Sequence, residues 1–439
     1  VSDAAWGALT ALVFLAGCGA GRFVNVAAVR FGPREYLGEQ LRSLWRPTPH
    51  EAAMTRGRGL SKLPVLGWFL PSHPLAAAPL RDRIRPALVE LSAGALLGGL
   101  FWQEVANWRT WAPLGGPFLP DVARAFECPW DASFTFALHG AMLLSLLTAS
   151  VIDLRRLLIP DGTTIPALLL AVVASLSGRL WLVPVWFEEG RVSRFAPVGA
   201  RPDVQPVPEW IFEHPHLHGL AASVAGIVAG AGVCWVVRWI GARTLGREAM
   251  GLGDVILMAM VGAFVGWQPV LTVFFLAPVA ALAVVVPAKL YDAATGKAAS
   301  AEFPYGPWLA LAAAFVVLFW QDVWPAVGPF FALGPFVLLA GLTIAVLLAV
   351  MLWLIALVKR ALGIDVDHWP AGYAGWSSAD TLTYLAAESD DLNRPARAPG
   401  RPARPWPGSA AGRGRLHADR WRHGGPASSS PQFRPDVRR

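Results

Sequence analysis

The apolar positions of this chain fall in long blocks, and most charged residues collect between them. The natural unit for such a pattern is the bilayer-spanning helix of ~20 apolar residues. About nine candidate spans follow, at 4–28, 86–106, 133–152, 163–185, 219–240, 254–267, 270–289, 305–321 and 330–358. The sixth is short and runs into Gly266-Trp267-Gln268-Pro269, read as a tight turn before the seventh. The first block, from Ala4 to about Val29, lacks a basic start and a small-residue cleavage site, so it is expected to remain as a span. The expected fold is all-α: a polytopic membrane helix bundle of about nine transmembrane helices, with a cytoplasmic loop after the first helix and a disordered C-terminal tail.

Charge sets the orientation. Residues 29–85 hold ten Arg and Lys, including Arg30, Arg34, Arg56, Arg58, Lys62 and Arg85. Later basic groups are Arg155 and Arg156, then Arg238, Arg243 and Arg247, then Lys289 and Lys297, and finally Lys359 and Arg360. They alternate with acidic or mixed loops, such as the one bearing Glu188, Glu189, Asp203, Glu209 and Glu213. By the positive-inside rule the N-terminus lies outside, and the loops at 29–85, 153–162, 241–253 and 289–304 are cytoplasmic, as is the tail. Composition agrees with a membrane protein: 55% of residues are hydrophobic and 15% charged, against about 25% charged in soluble domains. The net charge of +7 does not indicate nucleic acid, because the basic residues sit where topology puts them. Many of the 21 tryptophans lie near span ends, as interfacial belts do.

Two segments read as non-membrane. The loop at 186–217 is polar and proline-rich and is placed on the outer face. From about Asp380 the chain is rich in Arg, Pro, Gly and Ser and too poor in aliphatic residues to offset its chain entropy. The expected division is 1–110, two helices with a basic loop; 111–325, the main membrane domain; 326–365, an extra helix; and 366–439, a disordered tail.

Acids at a bilayer are costly and usually functional. Asp153 ends the third span in SVIDLRRLLIPDGTTIP, and Asp254 opens the sixth in REAMGLGDVILMAMVGAFVGW. The derived topology puts both at the cytoplasmic surface. Two neighbouring carboxylates can share one proton, so that one acts as base and the other as acid. Gly251 and Gly253, beside Asp254, permit backbone conformations barred to other residues and close approach of a substrate strand. The residues alone leave another reading open, with Asp254 as a helix N-cap and Asp153 as an interface anchor to Arg155 or Arg156.

These segments resemble a known family. AMGLGDVILMAMVGAFVGW is similar to the GxGD segment of type IV prepilin peptidases, and IDLRRLLIPDGTTIPALLL to their first aspartate motif. FPYGPWLALAA resembles their Pro-x-Gly-Pro segment, and GRFVNVAAVRFGP their first-helix segment. LPVLGWFL and RIRPALVELSAGALLGGLFW resemble the first loop and the entry to the second helix. The order of these segments is the family's, from about residue 4 to 320. The resemblance implies an aspartic endopeptidase of the inner membrane, multi-pass, with its active site facing the cytoplasm. It would remove the basic leader of prepilins or pseudopilins after a Gly. Asp153 and Asp254 would be catalytic, Gly251, Gly253 and Pro160 would support the catalytic loops, and Asp161 would cap the fourth span. The alternative is a catalytically silent membrane scaffold of a pilus or type II secretion assembly.

Departures from the family pattern matter. Many members carry two CxxC pairs in the first loop. Here residues 29–85 hold no cysteine, and Cys18, Cys128 and Cys234 are scattered. His50 and His73 are too few for structural zinc, which takes four ligands, so no metal is expected. Proteolysis needs no cofactor. S-adenosylmethionine enters only if the family's N-methyltransferase activity is retained, to which Asn25, Arg85 and Glu90 would correspond. The family's frequent Lys two residues after the GxGD aspartate is Ile256 here. His214, His216 and His218 read as an interfacial polar cluster rather than a metal site, and His139 as a satisfied buried histidine. The expected partners are prepilin substrates and the lipid bilayer, not nucleic acid.

Overall fold

A computed structural model describes residues 3–31, 36–46, 48, 59–71, 73, 79–106, 129–185, 210–245, 250–295, 304–334 and 336–361. The expected tail from 366, the polar loop as far as residue 209, His50 and Cys128 lie outside them. Among the described residues every long element is a helix. They are α1 (Asp3–Phe31), α2 (Leu37–Trp45), α3 (Leu80–Phe101), α4 (Pro129–Arg156), α5 (Asp161–Ser175) and α6 (Pro215–Leu245). Then follow α7 (Leu252–Val265), α8 (Trp267–Thr295), α9 (Gly306–Leu318), α10 (Trp320–Phe331) and α11 (Phe336–Ala361).

Each predicted block contains a helix, but the count of nine spans is not confirmed. Among the described residues six helices are long and apolar enough to cross a bilayer, or seven if α9 and α10, bent by 99° at Phe319, make one span. The fourth block, 163–185, is helical only to Ser175. Gly178 then takes a positive φ of 75° and the chain turns back. A Cβ on that glycine would lie 2.8 Å from the Pro215 carbonyl oxygen. Leu180, Leu182 and Val183 bury themselves without forming a helix. Their stretch of backbone finds other partners: Trp181 Nε1 donates to the Gly178 carbonyl (2.7 Å), Gln268 Nε2 to that of Pro184 (2.9 Å) and Trp267 Nε1 to that of Val185 (2.9 Å). Hydropathy counts apolar residues and does not register such a reversal.

The sixth block is short for a different reason. Gly266, at φ 89°, stops α7 after 14 residues. At 1.5 Å per residue α7 is about 21 Å long, less than the ~30 Å hydrocarbon core. The break is one residue wide, since Trp267 already begins α8. From Asp254 to Val265 α7 is buried at every position except Ile256. A helix apolar on all sides belongs inside protein, and α4, α5, α6, α8 and α9 surround this one. Its closest contact is with α6. A methyl group on Gly226 or on Gly262 would overlap the other's backbone, so the two helices touch main chain to main chain.

A second tight pair joins α1 to α3. Cβ atoms on Gly21 and Gly94 would come 2.5 Å from Glu90 Cα and 2.6 Å from Cys18 Sγ. Small residues let spans approach where lipid supplies no hydrophobic drive. At the far end of α3, the π-turn Trp102–Ala106 carries the buried Glu104 toward α4. Glu104 Oε1 meets His139 Nδ1 at 2.5 Å, which satisfies one ring nitrogen of that histidine. In contrast, α11 exposes most of its leucines and valines, as a lipid-facing helix does.

Candidate active site

Asp153 lies one turn before the end of α4, and its side chain is 5% exposed. The helix stops because Leu157 enters the left-handed region, at φ 55°, while its N–H donates to the Asp153 carbonyl (2.9 Å). The Asp153 carboxylate points toward the start of α9. The Gly306 N–H donates to Oδ2 at 3.1 Å. Any side chain at 306 would force Asp153 or Ile159 to shift. A Cβ there would lie 2.6 Å from Asp153 Oδ2 and 2.9 Å from Ile159 Cδ1.

Asp254 is the third residue of α7 and is buried. The N-cap is Gly251, not Asp254, and the Gly251 N–H donates to Asp254 Oδ2 at 3.2 Å. Each aspartate is thus held by one glycine amide. The expected conformational role of the two motif glycines needs correction. Gly251 has φ −70° and ψ 151°, an ordinary extended geometry. Gly253 serves close approach instead, since its Cβ would lie 2.9 Å from that of Ile159. Ile159 therefore packs against both Gly253 and Gly306, between the helix end that carries Asp153 and the helix start that carries Asp254. Cys234 and Tyr305 lie within electrostatic reach of Asp254.

The loop between α4 and α5 is anchored by α2, away from the helices that carry the two aspartates. Pro160 is the N-cap of α5 and Asp161 falls in its first turn, where no side-chain cap bond forms. A negative charge there still favours the helix dipole. The free amide at this end belongs to Gly162, and it donates to Gln40 Oε1 of α2 at 2.5 Å. Gln40 is fully buried, and no motif in the sequence pointed to it. Ile159 stood inside the first aspartate motif without an assigned role, and Arg238 was named only as a loop charge. Gly306 stood inside the Pro-x-Gly-Pro segment without an assigned role.

The N-terminal residues named with methyl transfer only partly converge. Glu90 is fully buried. It accepts from the Val65 N–H (2.5 Å), from Trp68 Nε1 (2.9 Å) and from Asn25 Nδ2 (3.4 Å). Asn25 Nδ2 also donates to the Pro86 carbonyl at 2.9 Å. Arg85 is exposed and within reach of the charge on Arg155. Arg22 donates to the carbonyls of Ser61 (2.9 Å) and Leu63 (3.2 Å), fixing the same loop. His73 packs against Trp68 at a tilt of 47° with ring centroids 4.5 Å apart, and burial, aided by Arg22, holds its imidazole below the usual range.

Among the described residues no three His, Cys, Asp or Glu side chains group as a metal would need. The histidines at 214–218 are divided in their contacts. His216 Nδ1 lies 2.6 Å from the Leu176 carbonyl oxygen, whereas His218 is buried against Trp181 and accepts from the Val185 N–H (3.0 Å).

Comparison with known proteins bears on this arrangement. The profile of the type IV leader peptidase family matches residues 211–286, which run from just before α6 through most of α8 and include Asp254. A prepilin leader peptidase/N-methyltransferase of Escherichia coli (strain K12) is 30% identical over 214 residues, 48% of this chain and 75% of that protein. One from Stutzerimonas stutzeri is 27% identical over 276 residues, covering 60% of this chain and 68% of the relative. Another, from Pseudomonas aeruginosa, is 31% identical over 197 residues, or 44% and 53% of the two chains. No solved structure matches. With a profile that spans the GxGD helix and a relative aligned over three quarters of its length, the chain belongs to the type IV leader peptidase family.

Proposed function

We propose that this membrane peptidase cuts the basic leader from prepilins or pseudopilins with Asp153 and Asp254, at the cytoplasmic face. One observation carries the reading: two buried carboxylates from separate helices are each held by a glycine amide, on either side of Ile159, which packs against both Gly253 and Gly306. Both lie at one end of the bundle, with the basic loop segment that follows α1. That is the end to which the loop charges assign the cytoplasm.

Two such carboxylates cannot both ionise cheaply, so they hold one proton between them. The ionised member takes a proton from water as the water oxygen attacks the scissile carbonyl. The protonated member donates its proton to that carbonyl oxygen. On collapse one carboxyl gives its proton to the leaving amine while the other carboxylate takes a proton from a hydroxyl of the tetrahedral intermediate, which restores the starting state. The Gly251 and Gly306 amides aim the two carboxylates throughout.

The relatives are also named N-methyltransferases, and that activity would use S-adenosylmethionine. Its sulfonium wants a carboxylate or an aromatic face. Glu90 and Trp68 supply those groups, but Glu90 spends its oxygens on Val65, Trp68 and Asn25. Those bonds tie the carboxylate to the first loop and to α1, and no transfer step follows from this arrangement.

The test is co-expression with a prepilin and a gel shift for the lost leader. Asp153→Asn and Asp254→Asn should each abolish cleavage while the protein stays folded, because an amide can neither accept nor return the proton. Each carboxylate serves both half-steps, so losing either costs nearly the whole rate. Asp161→Asn should cleave normally. Wild-type cleavage by either of the first two variants removes that aspartate from the mechanism, and by both favours the scaffold.

A further inference from the structure

The Met250–Gly251 peptide does two things at once. Its N–H, on Gly251, donates to Asp254 Oδ2 at 3.2 Å. Its carbonyl, on Met250, accepts from Arg238 at 2.8 Å. Arg238 stands on α6, half-buried, 12 positions before Met250. A single rigid amide plane therefore links a guanidinium to a catalytic-site carboxylate. In α7 itself, LGDVILMAMVGAFV, there is no cation to face Asp254.

Taking Asp254 as catalytic, as proposed above, we infer that Arg238 is a positioning residue that orients and polarises the Met250–Gly251 amide holding the Asp254 carboxylate. The physical basis is threefold. A hydrogen bond from a guanidinium is charge-assisted and about twice as strong as a neutral one. An amide whose carbonyl accepts such a bond becomes a better donor at its N–H, since linked hydrogen bonds reinforce one another. The rigid plane fixes where that N–H points, so securing the carbonyl also secures the carboxylate. Topology alone would require of Arg238 only a charge near the membrane surface. It would not require a 2.8 Å bond to the one carbonyl whose amide partner binds Asp254.

Steady-state cleavage of a leader-bearing prepilin by the purified full-length protein in detergent separates the two roles. Arg238→Gln loses the charge and should lower kcat about tenfold or more, with KM within about twofold of wild type. Arg238→Lys keeps a cation but not the planar fork. It should lower kcat only about two- to fivefold, again at constant KM. Each variant decides by itself, so poor accumulation of one leaves the other. Wild-type kcat in either variant overturns the inference, as does a loss confined to KM or a Lys variant no better than the Gln variant. Asp254→Asn is measured alongside. If it is inactive while the Arg238 variants match wild type, only the role of Arg238 falls. If it is active, the catalytic reading of Asp254 falls and takes the inference with it.

Discussion

Gly306→Ala adds one methyl group at the point where α9 meets Asp153. The new Cβ would stand 2.6 Å from Asp153 Oδ2 and 2.9 Å from Ile159 Cδ1. An ordinary carbon–oxygen contact is about 3.3 Å, so the carboxylate or the helix must retreat by roughly 0.7 Å. Retreat also stretches the 3.1 Å bond that aims Asp153. A 1 Å misplacement of a catalytic group can cost about a hundredfold, so a ten- to hundredfold fall in kcat is expected. The strain should also cost stability, about 1–3 kcal/mol. Gly251→Ala is the internal comparison. Its Cβ meets Asp254 Oδ2 at 3.3 Å, a tight contact that a shift of a few tenths of an ångström relieves, and its φ of −70° suits alanine. That variant should keep kcat within about threefold. The assay is initial-rate cleavage of a prepilin by purified variants of matched folding. Wild-type kcat for Gly306→Ala would refute the reasoning, and so would an equal loss for Gly251→Ala.

Two further outcomes concern the loop after Asp153. Gln40→Ala leaves the buried Gly162 N–H without its acceptor and should cost roughly 1–3 kcal/mol in thermal unfolding. An unchanged melting temperature for Gln40→Ala would show that α2 does not anchor α5. Leu157 holds φ 55° with a side chain 42% exposed, so Leu157→Gly should raise stability by about 0.5–1 kcal/mol after the entropic loss of glycine. A lower melting temperature for that variant would mean that the leucine side chain packs more than its exposure indicates.

The helical class, the membrane setting and the aspartate pair were legible in the amino-acid order, because each rests on local chemistry. Long apolar blocks cannot satisfy their backbone in lipid except as helices, and an acid at a span end stands out at once. Asp153 and Asp254 are named by such cues, and the neighbouring motifs name the family. The span count was not legible. Hydropathy cannot see the turn at Gly178 or the stop at Gly266, where left-handed backbone ends a helix inside an apolar run. Nor can it tell that α7 is sheathed by five other helices rather than by lipid. The supporting contacts were hidden for a related reason. Gln40 meets Gly162 from 122 positions away, and Gly306 meets Asp153 from 153 positions away. Such pairs leave no periodic trace, because they depend on how whole helices dock. Composition marks the groups that can do the chemistry, and tertiary packing decides which amides and side chains aim them. A one-methyl clash at Gly306 or a shared peptide plane at Met250–Gly251 exists only once α4, α6, α7 and α9 have met at one end of the bundle.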